Sequence, residues 1–391
     1  MYDFKTVIDR RHTNSLKWDV GADELPMWVA DMDFQTAPEI IEALQKKATF
    51  GIFGYEEPDE AYFESVANWY QQQHGFRPEP DWMIFSNGVV PAISSIIRRL
   101  TNAGDNIVVQ APVYDIFYHS IENNGRHTLS NDLVYDEKAL TYQIDFADLE
   151  VKLAEPLTSL MILCNPHNPI GHVWSREDLV RVAQLCLNNH VILLSDEIHG
   201  DLTAAGHDYT PIFSLPAALR ANTIACVSPS KTFNVAALHT STVIVPDENL
   251  RNSVSRGLNN DEIAEPNSFA LVAAKAAYNQ GAPWLAALKQ QLARNRKIVA
   301  EFLATELPEL KLVPAEATYL LWLECTDFCQ DSAKLAEYIR WETGLYLSEE
   351  AVYRGNGADF LRLNIACPER ELQDGLHRLQ RAIHQYEKES V

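Results

Sequence analysis

A chain of 391 residues, 47% hydrophobic and 22% charged, has the make-up of a soluble globular protein too long for one simple core, so two domains are expected. Its formal net charge of −22 argues against nucleic acid as a partner, because phosphate binding needs a basic face. No apolar run approaches the roughly 20 residues that span a bilayer, and Met1-Tyr2-Asp3-Phe4-Lys5 lacks the apolar core of a signal peptide, so a cytoplasmic location is expected.

In chain order, the first predicted element is a helix from Ala37, with Pro38 in its first turn and Ile41, Leu44 and Ala48 at helical spacing. A second helix is predicted over 59–73. Ser86-Asn87-Gly88 then opens a third, carrying Ile93, Ile96, Ile97 and Leu100. Apolar runs at 107–109, 160–163, 191–194, 224–227 and 242–245 read as buried strands. An amphipathic helix over 175–188 starts at Ser175, with Glu177 and Asp178 in its first turn. Continuous apolar strands separated by helices predict an α/β fold with a mainly parallel sheet covered on both faces. The texture changes near Gly281-Ala282-Pro283. A long helix from Trp284, a strand over 318–323, a helix over 332–341, a strand over 360–365 and a last helix from Glu369 predict a smaller α+β domain. The six cysteines (Cys164, Cys186, Cys226, Cys325, Cys329 and Cys367) show no paired zinc spacing and read as reduced thiols.

Chemistry concentrates at the ends of the predicted strands. Lys231, in Ser228-Pro229-Ser230-Lys231-Thr232-Phe233-Asn234, follows the run ending at Val227, and Asp196 ends the run from Val191. A lysine on one strand end and a carboxylate on another suit pyridoxal phosphate. The amine forms the Schiff base and the carboxylate keeps the pyridine nitrogen protonated. Gly88 at a helix start is a phosphate candidate or a plain turn. The loop Asn165-Pro166-His167-Asn168-Pro169-Ile170-Gly171 presents amides at a strand's carboxyl end, and Asn168 is a donor candidate for a phenolic oxygen. Pro169 makes a cis Asn168-Pro169 bond accessible there. Asp196, Glu197, His199 and Asp201 read alternatively as metal ligands. Strand alternation splits that set, placing Asp196 with Ile198 on one face and Glu197 with His199 on the other, so no metal is expected. Tyr114 is a ring-stacking residue or a core tyrosine. Arg362, a charge inside an apolar strand, needs a partner: a substrate carboxylate or an internal salt bridge.

These pieces, together with Met27-Trp28-Val29-Ala30-Asp31-Met32-Asp33-Phe34, Phe53-Gly54-Tyr55, Asn87-Gly88-Val89-Val90-Pro91, Ser195-Asp196-Glu197-Ile198-His199 and Leu361-Arg362-Leu363-Asn364, run in order along nearly the whole chain. The pattern resembles fold-type I pyridoxal-phosphate enzymes of the aminotransferase class I/II superfamily, and within it the MalY/PatB-type cystathionine β-lyases. The resemblance implies a large domain (46–283) with a seven-stranded sheet, and a small domain (284–391) joined by the N-terminal segment 1–45. It implies Lys231 as the Schiff-base and proton-transfer residue, with Asp196, Asn168, Tyr114 and Ile198 around the ring and a cis Asn168-Pro169 bond. Gly88, Val89 and Ser228 or Ser230 would hold the phosphate, and Tyr55 would reach it from the partner subunit of a homodimer. Ala30, Asp31, Tyr114, Asn168 and Arg362 would meet an amino-acid substrate. The activity implied is β-elimination from L-cystathionine or related cysteine S-conjugates, with an aminotransferase as the alternative on the same fold. A non-catalytic module is the third reading, which the presence of both Lys231 and Asp196 disfavours. The sequence departs from the family at Ala237, where glycine is usual, and at His239, where many aminotransferases carry an arginine.

Overall fold

The computed structural model describes residues 2–329, 331–348 and 350–390. Seven strands form the central sheet: β1 (Met83–Ser86), β2 (Asn106–Val109), β3 (His127–Ser130), β4 (Thr158–Cys164), β5 (Ile192–Asp196), β6 (Thr223–Val227) and β7 (Ser241–Ile244). Their order is β1-β7-β6-β5-β4-β2-β3. Six run parallel, and β7 lies antiparallel to both of its neighbours.

Alternation along the central strands sorts side chains between two apolar layers. Met161, Leu163, Leu193, Ala225 and Val227 face one layer, together with Leu179 and Val182 of the helix Arg176–Asn188. Leu160, Ile162, Leu194, Ile224 and Cys226 face the other, together with Ala92, Ile93, Ile96 and Ile97 of the helix Val89–Leu100. A strand buried on both sides must be apolar throughout, which is why these runs are continuous. The Ser175 hydroxyl accepts the Asp178 amide at 3.0 Å, a cap worth about 1 kcal/mol.

Beyond this sheet, β8 (Lys311–Leu312), β9 (Leu320–Glu324) and β10 (Phe360–Asn364) pair antiparallel. The strand predicted from 318 begins only at Leu320, because Thr318 has φ +67° and its hydroxyl accepts the Leu320 amide. The long helix Ala282–Glu306 carries buried Asn295, whose amide nitrogen donates to the carbonyls of Ile365 (2.7 Å) and Cys367 (2.9 Å) just past β10.

The N-terminal segment is held from two distant parts of the chain. Leu25–Pro26 pairs parallel with Leu345–Tyr346. Asn234 brackets the segment from the lysine loop: its Oδ1 accepts the Met32 amide, and its Nδ2 donates to the carbonyls of Met32 and Phe34. Asn364, from β10, donates to the carbonyls of Val29 (2.6 Å) and Asp31 (2.7 Å). Among the described residues, no helix is long and apolar enough to cross a membrane.

Candidate active site

Cys164, Asp196 and Cys226 lie side by side at the carboxyl ends of β4, β5 and β6. Asp196 is two residues beyond Leu194, so its side chain leaves the sheet on the face that carries the helix Val89–Leu100. Strand β5 ends there. Ile198 lies in a turn rather than on the strand, and its amide donates to the Asp196 carboxylate at 3.1 Å. Glu197 turns to the opposite layer, where Ser195, Tyr209, Asn165 and the Ile212 amide all donate to it. Asp201 is held by Trp69 (3.0 Å), His74 (2.7 Å) and Thr232 (2.8 Å). The acidic run is therefore divided among separate environments. Among the described residues no cluster of His, Cys, Asp or Glu suits a metal ion.

A cavity of about 260 Å³ opens over these strand ends, with Lys231 and Asp196 both on its wall. Burial lowers the Lys231 ammonium to about 8, and the Arg362 charge adds to that effect. Its Nζ donates to the Ala30 carbonyl at 2.6 Å, a contact shared by the Tyr319 hydroxyl at 2.9 Å. Burial raises the Asp196 carboxyl to about 7, opposed by the Ile198 amide and the Lys231 charge. Asp196 is 4% exposed and forms no ion pair among the described residues.

Asn168 is oriented by its neighbour. Its Oδ1 accepts from Arg362 Nη1 at 3.2 Å, and an arginine can only donate, so the amide oxygen must face it. That leaves the Asn168 NH₂ as the group presented to the cavity. The Asn168-Pro169 bond is cis, as are Asn165-Pro166 and Ala111-Pro112. Arg362 is itself buried. Its Nη2 donates to the Trp28 carbonyl and the Ser348 hydroxyl, both at 2.9 Å.

Also lining the cavity, Gly88 precedes the helix Val89–Leu100 with φ +147° and no side-chain cap, so the first amides of the helix are left for a ligand. A Cβ on Gly88 would press within 3.3 Å of the Pro91 ring. Val89, Ser230, His239, Thr240, Tyr114 and Ile198 line the same cavity. Ser228 sits behind it, its hydroxyl accepting the Ser230 amide (3.0 Å) and donating to the Thr240 carbonyl (2.6 Å).

Two expected residues stand apart. Asp31 lies on an adjoining cavity, and Arg10 holds its carboxylate at 2.7 Å. Tyr55 is fully exposed and does not reach the cavity of its own chain. Other wall residues were not singled out for this role by the sequence. Among the described residues, the buried Oδ1 of Asn87 and the Nδ1 of the buried His199 ring have no hydrogen-bond partner. Burial holds the His199 imidazolium down to about 3, so the ring is neutral at working pH. Only its place after Asp196-Glu197-Ile198 marked it, and that spacing read as a metal ligand. The departure at His239 adopts φ +51° beside Thr240 on the cavity lining.

An amine of lowered basicity, a buried carboxyl, an amide donor and uncapped helix amides on one cavity suit an aromatic cation bearing a phosphate. The chain belongs to the aminotransferase class I and II family, whose sequence profile matches residues 23–379. It is 43% identical to cystathionine beta-lyase PatB of Bacillus subtilis, covering 96% of this chain and 98% of that protein. With MalY of Escherichia coli it shares 33% identity across 98% and 99% of the two chains. Cystalysin from Treponema denticola, solved with pyridoxal 5′-phosphate, superposes with a TM-score of 0.95 at 31% identity over 98% of this chain and 99% of its own. A pyridoxal-phosphate-bound C-S lyase from Staphylococcus hominis gives 0.90, also at 31%, over 98% and 99%.

Proposed function

We propose that the chain is a pyridoxal-phosphate-dependent carbon–sulfur β-lyase that converts L-cystathionine or a related cysteine S-conjugate, with water, into a thiol, pyruvate and ammonia. The carrying observation is Lys231 and the buried, cation-free Asp196 on one cavity wall. The choice of β-elimination is supported by the relatives named as cystathionine β-lyases.

Pyridoxal phosphate, when bound, supplies an electron sink that makes the substrate Cα–H bond labile. Asp196 would pair with its ring nitrogen, the Asn168 NH₂ with its phenolic oxygen, and the helix-start amides with Ser230 would hold its phosphate. Tyr114 and Ile198, both on the cavity lining, would cover the ring faces and exclude water. The Lys231 amine, close to half neutral near pH 8, is poised to remove the Cα proton and return a proton later. Arg362 offers its guanidinium to the substrate carboxylate while holding Asn168 in place. Incubation with L-cystathionine and no keto acid should yield pyruvate and thiol in equal amounts. A strict need for 2-oxoglutarate, with no pyruvate formed, would instead identify an aminotransferase.

Arg362→Lys keeps the charge and loses the planar fork. We expect KM for cystathionine to rise about 10–100-fold, as loss of a charged hydrogen bond worth about 1.5–3 kcal/mol dictates. An unchanged KM would remove Arg362 from substrate binding.

We further propose that the enzyme works as a homodimer. Phe50 (67% exposed), Ile52 (63%) and Phe53 (57%) lead to Tyr55 (101%), an apolar run too long to leave in water without cover. In this arrangement Tyr55 completes the partner's phosphate site. Tyr55→Phe should weaken cofactor affinity about 5–10-fold, the loss of one hydrogen bond, measured by titrating cofactor into stripped protein. An active monomer in sedimentation would defeat the idea.

A further inference from the structure

Away from the cavity, β9 ends at Glu324 and the chain makes one turn before the helix Ser332–Thr343. Cys325 and Cys329 begin and close that turn: the Cys329 amide donates to the Cys325 carbonyl at 3.1 Å, and the two sulfurs lie 3.9 Å apart. Cys325 is buried, while Cys329 is partly exposed. The hydrogen bond between the two sulfurs and the Asp331 backbone amide hold Cys329 below the usual thiol range against burial and the charges of Asp331 and Asp359, while the Cys325 S–H points to the Asp359 carbonyl at 3.2 Å. Burial pushes Cys164, Cys186, Cys226 and Cys367 the other way. The accessible thiol is thus the reactive one, with a second sulfur directly behind it.

We propose that Cys325 and Cys329 form a reversible thiol–disulfide site that reacts with low-molecular-weight disulfides. The Cys329 thiolate attacks one sulfur of RSSR, forming a Cys329–S–S–R bond and releasing RS⁻. Cys325 then gives up its proton and attacks the Cys329 sulfur, forming the internal bond and expelling the second RS⁻. Two electrons and two protons pass from the protein to RSSR, which leaves as two RSH. The two sulfurs, 3.9 Å apart, must close to the roughly 2 Å of a disulfide bond, so the turn must tighten. Thr326 and Asp327 within it are exposed and leave room for that movement. Oxidation removes the 3.2 Å bond from the Cys325 sulfur to the Asp359 carbonyl, while the Cys325 amide keeps its own bond to that carbonyl (2.8 Å).

The test is to equilibrate the cofactor-loaded protein with graded ratios of glutathione disulfide to glutathione, quench in acid, alkylate and map the peptides. The wild type should lose two alkylatable thiols together, both within residues 325–329, and recover them with dithiothreitol. Cys325→Ser should instead stop at a glutathione mixed disulfide on Cys329, because no second sulfur resolves it. A wild type that accumulates the same mixed disulfide, or that keeps both thiols at the most oxidising ratio, overturns the proposal. Peptide mapping of the wild type decides the matter even if the variant folds poorly.

Discussion

Lys231→Ala should lower cystathionine turnover by at least about 10⁴-fold, the upper range for losing a positioned acid–base group, with a covalent anchor lost as well. The amine is the basic group on the cavity wall whose proton affinity falls near working pH: Asp196 faces the proposed ring nitrogen and His199 is held neutral. Alanine also forfeits the bond to the Ala30 carbonyl, but it removes the cost of burying an ammonium. Stripped variant and stripped wild type should therefore melt within a few degrees of each other. Partial recovery of turnover by added methylamine would locate the defect in proton transfer. Retention of a tenth or more of wild-type turnover would show that another group removes the Cα proton.

Asp196→Asn should separate stability from catalysis. In the stripped protein this carboxyl titrates near 7 instead of near 4, because burial disfavours its charge. A raised carboxyl contributes stability below about pH 4 that is lost as pH rises through 7. At pH 8 the folded, cofactor-free wild type therefore bears a cost of at most about 4 kcal/mol, and asparagine cannot incur it. The stripped variant should melt above the stripped wild type at pH 8, with the gap closing near pH 4. With cofactor the order should reverse, because asparagine cannot balance a ring-nitrogen charge. Turnover should fall about 10³-fold, the equivalent of roughly 4 kcal/mol of lost buried pairing. Equal melting of the two stripped proteins at pH 8 would refute the assigned environment of Asp196.

Five of the seven sheet strands were legible because β2 and β4 to β7 are runs of apolar residues. The two edges were not. In β3, His127-Thr128-Leu129-Ser130, only Leu129 is apolar, since an edge strand is only partly covered, and β1 is four residues squeezed between Trp82 and a helix start. The direction of β7 was equally hidden, because an apolar run bears no sign of which way it pairs. In the site, Lys231 and Asp196 could be read because Asp196 ends β5 and Lys231 follows the end of β6 by four residues, in the short helix Pro229–Thr232. The orientation of Asn168 could not, since it depends on Arg362, 194 residues away. The cysteine turn escaped because spacing was judged against zinc motifs, while a thiol pair depends on where the turn points its sulfurs.

The grip of Asn234 and Asn364 on residues 29–34 has a consequence for the order in which the protein is made. The segment leaves the ribosome first, yet its brackets lie 200 to 202 residues later at Asn234 and 333 to 335 later at Asn364. Ala30, whose carbonyl meets the catalytic amine, therefore has no fixed place until β10 has been synthesised. At about 5–20 residues per second, the leading segment waits tens of seconds for its last anchor. A nascent chain halted before β10 would carry its lysine loop without the roof that segment supplies. Competence for catalysis thus waits on the emergence of β10, in a single closing step.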